Sequence, residues 1–176
     1  MKVTPAEEEV LGQVRDEFIA HWGAMGTQWG INRTMAQVHA LLMTSAGAMS
    51  TDEVMAALHI SRGNAHSNLK ELVAWGLVRV VLRRGERREY FEAEKDVWRI
   101  FTIVARERKR REIDPALEVL DRCVRETRAM RSGEARTFHR QVRELHEFVS
   151  FASGVADRVG GLEHSKAARL AAKLLG

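Results

Sequence analysis

Residues 50–94 carry signals for two short helices in succession, followed by two runs of strand-forming residues. Ser50 precedes Glu53 by three residues, which is the spacing of a capping box at a helix start. Ser61 is a favourable N-cap for a second helix, and Gly76 is a typical residue at a helix end. The segment therefore predicts a helix, a tight turn at residues 59–60 and a second helix.

The second helix of this segment has an apolar side and a polar side. Ala65, Leu69 and Leu72 recur at helical spacing and predict a buried stripe. The other side presents short or hydrogen-bonding side chains, which suit base edges and phosphates in the major groove of duplex DNA. That predicted exposed face consists of Arg62, Gly63, Asn64, His66, Ser67, Asn68, Lys70 and Glu71.

The residues after Gly76 predict a β-hairpin with a basic tip: β-branched residues at 77–83, a turn at 84–87 and a return strand at 88–94. Residues 61–88 hold seven basic and two acidic side chains, a net charge of +5 compared with +4 for the whole chain. Such concentrated positive charge is typical of nucleic-acid binding. The pattern predicts a winged helix-turn-helix that binds duplex DNA, with a solvated basic hairpin on a protein-binding domain as the alternative.

The remainder of the chain predicts helices almost throughout, so the fold class is mainly α with a small two-stranded β-wing. Helices are predicted at residues 5–26 and 33–45, from Asp96, from Asp114 with Pro115 at the first position, at 135–159 and at 163–175. Apolar stripes on these helices predict a partner, most simply a second copy. The predicted regions are an N-terminal dimerisation helix (1–30), the DNA-binding domain (31–94) and a C-terminal helical dimerisation or effector region (95–176).

Sequence signals for other chemistries are missing. The sequence contains no phosphate-binding glycine loop, no GxSxG element and no Cys/His pair at zinc-type spacing. We therefore expect neither an enzyme nor a bound cofactor or metal. The single cysteine, Cys123, excludes an internal disulfide, and no apolar run has the length of a membrane span, so a cytoplasmic protein is expected.

Three further features have both a functional and a structural interpretation. The aromatic side chains Trp22, Trp29, Tyr90, Trp98 and Phe101 suit a cage for a quaternary ammonium effector, although large aromatics at helical spacing are usually core. Residues 106–111 are a charged run that suits either DNA or a solvated helix end, and the solvated end is favoured. Cys123 has no second cysteine to resolve an oxidised form, which disfavours redox sensing.

Three stretches resemble the GbsR branch of the MarR-type transcriptional regulators: GTQWGINRTMAQVHALLMTS (26–45), SRGNAHSNLKELVAWGLVRVV (61–81) and DVWRIFTIVARERKRREIDPALEVLDRC (96–123). The resemblance covers roughly the first 130 residues. It implies a cytoplasmic, dimeric winged-helix protein that binds double-stranded DNA, commonly as a repressor whose operator affinity responds to a signal. Some members respond to choline-type compounds.

The resemblance also implies roles for individual residues. It places Arg62, Asn64, His66, Ser67 and Asn68 at the bases, Lys70 at a phosphate, and Arg83, Arg84, Arg87 and Arg88 on a wing that reaches the backbone or minor groove. The predicted function is a sequence-specific regulator, a homodimeric repressor on a pseudo-palindromic operator, with a choline-like or other small molecule as candidate releasing effector. The alternative is an architectural or protein-interaction module without a specific operator.

Overall fold

The computed structural model describes residues 4–161, and the helix predicted at residues 163–175 lies outside them. The chain divides at Val97 and Trp98 into two compact units. The first unit contains α1 (Pro5–Gln28), α2 (Arg33–Thr44), β1 (Met49–Ser50), α3 (Thr51–Leu58), α4 (Arg62–Trp75), β2 (Val78–Leu82) and β3 (Glu89–Ala93). This confirms the predicted fold class, a mainly helical chain with a winged helix-turn-helix.

The β-sheet has three strands where the sequence predicted two. β2 and β3 form the predicted antiparallel hairpin, and β1 pairs with β3 on its other side, so the strand order is β1-β3-β2. Met49 lies opposite Phe91 and Ser50 lies opposite Tyr90. Two residues are too few for the alternating pattern that reveals a strand in a sequence, which is why β1 was missed.

The core of the first unit is formed where α2, α3 and α4 meet. Its largest fully buried side chains are Val38 and Leu42 of α2, Val54 of α3, and Leu69 and Leu72 of α4. The inner face of the sheet covers the same core, because Val78 and Phe91 are also buried. The helix-turn-helix and its wing therefore share one hydrophobic core, and the wing is fixed relative to α4.

Helix α1 continues to Gln28, two residues beyond its predicted end at Gly26. Gly26 is instead a packing position: a Cβ built on it would lie 2.6 Å from the Cβ of Ala36 on α2, too close for any larger residue. A glycine in a helix interior usually weakens the helix, but here it allows two backbones to approach. The helix ends at Trp29, and Gly30 then adopts a positive φ of 73°.

Both predicted caps of the helix-turn-helix are confirmed. The Ser50 Oγ accepts a hydrogen bond from the Glu53 backbone N–H, and the Glu53 carboxylate accepts one from the Ser50 N–H at 2.6 Å. The hydrogen bonds that the Ser50 N–H and, at 2.7 Å, the Ser50 hydroxyl donate to this carboxylate hold the pKa of Glu53 below its usual value. Ser61 caps α4, and Gly76 ends it in the left-handed conformation with φ of 80°.

Substitution of Ser50 tests how much the cap at α3 contributes. Ser50→Ala is expected to lower the free energy of unfolding by about 1 kcal/mol, because one backbone N–H loses its partner. Urea unfolding of the whole chain measures the change. The matched control is Thr4→Ala, which removes the same capping box at the exposed start of α1 and is expected to fray only that helix end. Equal losses for the two variants would contradict a special role of the Ser50 cap.

The second unit consists of α5 (Val97–Arg108), a π-helix (Lys109–Ile113), α6 (Asp114–Thr127) and α7 (Gly133–Gly161). Helix α6 begins at Asp114 as predicted, but the chain stays helical from α5 through the π turn, and Asp114 does not cap a new helix. The Asp114 N–H donates to the carbonyl of Lys109, five residues earlier, and its carboxylate lies 2.9 Å from the Lys109 Nζ instead of capping a helix. The wider π turn thus carries the backbone past Pro115 without a break.

Helices α6 and α7 are joined by a short turn and pack against each other. The Thr127 Oγ1 lies 2.8 Å from the His139 Nδ1 across this pair. The Lys109 Nζ also lies 3.6 Å from the Asp157 carboxylate on α7, which ties the π turn to the far part of that helix. Within residues 4–161, no helix combines the length and apolar character that crossing a membrane requires.

Candidate nucleic-acid interface

Helix α4 buries one side and exposes the other, as its sequence pattern predicted. Ala65, Leu69 and Leu72 have at most 1% of their surface exposed. His66, Ser67 and Lys70 are exposed on the opposite side, and none has a hydrogen-bond or ion-pair partner for its side chain among the described residues. These three groups are available to a ligand along the length of the helix.

Asn68 does not belong to that exposed face, so its predicted exposure is wrong. Only 6% of its surface is accessible, and its Nδ2 donates to two acceptors one helical turn earlier. The acceptors are the backbone carbonyl of Asn64 at 2.8 Å and the Oδ1 of Asn64 at 2.6 Å. Asn68 thus contacts Asn64 and does not project into solvent, a difference that helical periodicity alone does not reveal.

A single carboxylate connects the start of α4 with the wing, next to its tip. The Asp52 carboxylate, in the first turn of α3, lies 2.5 Å from the Arg62 guanidinium and 3.8 Å from that of Arg88. Sequence reasoning missed Asp52, since an acidic residue in a first helical turn is ordinarily explained by the helix dipole. Arg62, the first residue of α4, and Arg88, directly before β3, therefore both contact the Asp52 side chain.

Arg83 lies along the wing instead of projecting from it. Its guanidinium carbon is 3.7 Å from the centre of the Tyr90 ring, and its Nη2 donates to the Ala48 carbonyl at 3.4 Å. The Tyr90 hydroxyl donates to the Glu86 carboxylate, which raises the pKa of Tyr90. These contacts stabilise the hairpin just below its tip.

The tip of the wing carries two arginines without partners. Arg84 and Arg87 flank Gly85, whose φ of 86° requires a residue without a side chain at the turn. Both arginines are exposed, and neither has an ion pair among the described residues. The side chains of four predicted contact residues are already engaged within the protein (Arg62, Asn68, Arg83 and Arg88), whereas five others are available (His66, Ser67, Lys70, Arg84 and Arg87). Asn64 is intermediate, because its Oδ1 accepts a hydrogen bond from Asn68.

The five aromatic residues predicted as an effector cage occur in both units. In the first unit, Trp22 packs against Phe18 with ring centres 5.4 Å apart, and Trp29 is 55% exposed at the end of α1. Tyr90 is buried in the sheet with one ring face occupied by Arg83. Trp98 and Phe101 belong to the second unit and are 50% and 53% exposed. Tyr90 thus already makes a cation–π contact, with Arg83, of the kind that an effector cage would require.

The charged run at residues 106–111 forms ion pairs within the second unit. Arg110 and Arg111 both pair with Glu107 on the same helical stretch, and Arg110, the closer of the two at 2.7 Å, accounts for most of the lowering of the pKa of Glu107. These ion pairs engage the charged run within the protein, but residues 106–111 do not form the helix end that was favoured, because the chain stays helical into α6. Among residues 4–161, no three or more His, Cys, Asp or Glu side chains are grouped so that they suit a metal ion.

Comparison with known proteins supports the same assignment of the fold. Residues 29–89, which run from the end of α1 to the start of β3, match the sequence model of the MarR family. A solved structure described as a transcriptional regulator superposes with a TM-score of 0.63 at 23% sequence identity, covering 84% of this chain and 95% of that chain. No curated protein sequence matches significantly. Residues 29–89 are thus similar to the MarR-family domain, and the solved structure supports the fold, while membership of the family and of its GbsR branch stays a prediction.

Proposed function

We propose that this chain is a sequence-specific DNA-binding transcriptional regulator that acts as a homodimer on a pseudo-palindromic operator. The observation that carries the proposal is the arrangement of Arg62, Asp52 and Arg88, which joins the first turn of α4 to the wing. Two DNA-contacting elements of a winged helix are thereby held in one geometry. The MarR-family match over residues 29–89 and the transcriptional-regulator fold neighbour support the same reading.

The available side chains suit the two kinds of contact that such a protein makes with DNA. Lys70, Arg84 and Arg87 are exposed cations, which favour phosphate oxygens. Asn64, His66 and Ser67 are short polar side chains on the first turns of α4, the part of a recognition helix that meets base edges. Phosphate contacts would fix the position of the protein, and contacts from α4 would select the sequence.

Exposed apolar side chains of α7 support a second copy as the partner. Along one stretch of this helix, residues recur at spacings of three, four and seven, the pattern of a helix that packs against another helix. They are Phe138, Leu145, Phe148, Phe151 and Val155, and between 41% and 69% of each is exposed. Covering this surface with the same surface of a second chain would give a two-fold dimer, and two α4 helices about 34 Å apart would match a palindrome.

Repression is the direct consequence proposed for such a complex. A dimer that occupies about one turn of DNA on each half-site excludes other proteins from that segment. Release would require an effector that binds the DNA-free form more tightly, with a coupling of typically 1–3 kcal/mol between the two sites. Trp29 in the first unit, and Trp98 and Phe101 in the second, are at least half exposed, and each is a separate position at which binding of a quaternary ammonium effector can be tested.

Selection from a pool of random duplexes tests the proposed function. The purified chain is expected to enrich a palindrome with half-sites about one helical turn apart at near-physiological salt. Its mass in solution, measured by light scattering, should be twice that of the 19.9 kDa chain. Salt-sensitive binding without an enriched sequence would instead favour an architectural module, and absence of binding would indicate that the basic surface contacts a protein.

A further inference from the structure

The hydrogen bonds between Asn64 and Asn68 fix which end of each side-chain amide faces which way. The Asn68 amide contacts the Asn64 backbone carbonyl at 2.8 Å. A carbonyl oxygen only accepts, so the Asn68 atom that faces it must be the NH2 group. The same NH2 group contacts the Asn64 side chain at 2.6 Å, and the atom that it meets there must be an oxygen. Hydrogen-bond chemistry therefore determines the orientation of both amides.

This orientation gives Asn64 a defined chemical character. Its Oδ1 accepts a hydrogen bond from Asn68. Its Nδ2, at the other end of the planar amide, is therefore directed away from Asn68. Asn64 itself is exposed. An asparagine that recognises adenine uses both ends of its amide, accepting from N6 and donating to N7. The Asn64 Oδ1 is already bonded to Asn68, whereas its NH2 group is not, so the two-ended adenine contact is disfavoured.

Asn64 places this donor at the N-terminal end of α4. Its backbone N–H donates to the capping Ser61 Oγ at 3.3 Å, so it lies in the first turn of the helix. Of the two residues before it, Gly63 has no side chain, and Arg62 is paired with Asp52 through one guanidinium nitrogen. Asn64 is thus the first uncharged hydrogen-bonding side chain along α4.

We propose that Asn68 holds Asn64 as a hydrogen-bond donor, so that the first turn of α4 selects guanine in the major groove. The inference rests on the proposed function. Guanine presents two adjacent acceptors, N7 and O6, to the two hydrogens of an NH2 group. Thymine offers one acceptor beside a methyl group, cytosine offers only a donor, and adenine places a donor next to its acceptor. Asn64 is the specificity-determining residue, and Asn68 is a positioning residue.

Selection from random duplexes with the full chain and its variants tests this inference. Wild type is expected to prefer guanine at one position of each half-site by roughly 5- to 150-fold over adenine. Asn64→Asp keeps the acceptor that Asn68 requires but loses the donor, so the preference at that position should change to cytosine, which offers a donor. Asn68→Ala releases the Asn64 amide, and the ratio of guanine to adenine should fall to near one, because the freed amide suits adenine.

Several controls separate positioning from a general loss of structure. Ser67→Ala, on the exposed face of the same helix, should keep the guanine preference. Thermal unfolding should show each variant folded at the temperature of selection, and Asn64→Asp keeps the test valid if Asn68→Ala is unstable. An enriched sequence that Asn64→Asp leaves unchanged would overturn this inference alone. Absence of any enriched sequence for wild type would overturn the proposed function together with it.

Discussion

The double substitution Arg84→Ala/Arg87→Ala is expected to weaken binding to every duplex by about 30-fold at 0.15 M salt and about 200-fold at 0.05 M. Both guanidinium groups are exposed at the tip of the wing and have no ion pair among the described residues. No internal contact has to be broken before they reach phosphates. Each phosphate contact contributes about 0.9 to the slope of log K against log salt, so the slope should become shallower by about 1.8.

Fluorescence anisotropy with one random and one selected duplex, over a range of salt, measures both quantities. Arg136→Ala/Arg140→Ala is the matched control, because it removes the same charge from exposed positions of α7. The control should leave the slope unchanged. The wing variant should lose the same factor on both duplexes, since phosphates carry no sequence information. A slope equal to that of wild type would exclude the wing tip from DNA contact.

Local signals in the sequence were sufficient to predict the helix-turn-helix. Ser50, Ser61 and Gly76 act through contacts with neighbours a few residues away, and all three end or begin helices as predicted. The buried stripe of α4 follows from periodicity, which also reports a local property. The predicted fold class is correct for this reason: its main determinants operate within single helices and turns.

Features that depend on distant residues were not predictable in the same way. Gly26 has the local appearance of a helix break, but its role is decided by Ala36 on another helix. Asp52 has the appearance of a dipole-stabilising residue, but it pairs with Arg62 and Arg88. In the candidate site one local feature was missed as well: periodicity placed Asn68 in solvent, but its side chain bonds to Asn64 one turn earlier and is only 6% exposed. Which arginines are free for DNA is a property of the folded unit, not of the charge pattern.

Acid is expected to destabilise the winged-helix unit through His39, a residue on α2 that is only 4% exposed. Burial lowers the pKa of His39 to about 4, and its Nε2 has no hydrogen-bond partner among the described residues. The usual histidine value of 6.5 applies to the unfolded chain. Between pH 6.5 and pH 4 the unfolded state therefore binds a proton that the folded state does not. Stability is complete above pH 6.5 and falls as pH decreases through this window.

Across the whole window, the free energy of unfolding should fall by about 3 kcal/mol. About 2 kcal/mol of stability should be lost between pH 7 and pH 5. This narrower interval is the better one to measure, because Glu53, whose pKa is lowered below 4.5, loses its contribution only at lower pH. His39→Leu, an apolar side chain of similar size, should remove most of the loss, as measured by urea unfolding at both pH values. His66→Ala, an exposed histidine on α4, should lose as much as wild type. If His39→Leu and wild type lost the same amount, the acid sensitivity would have to arise from other groups.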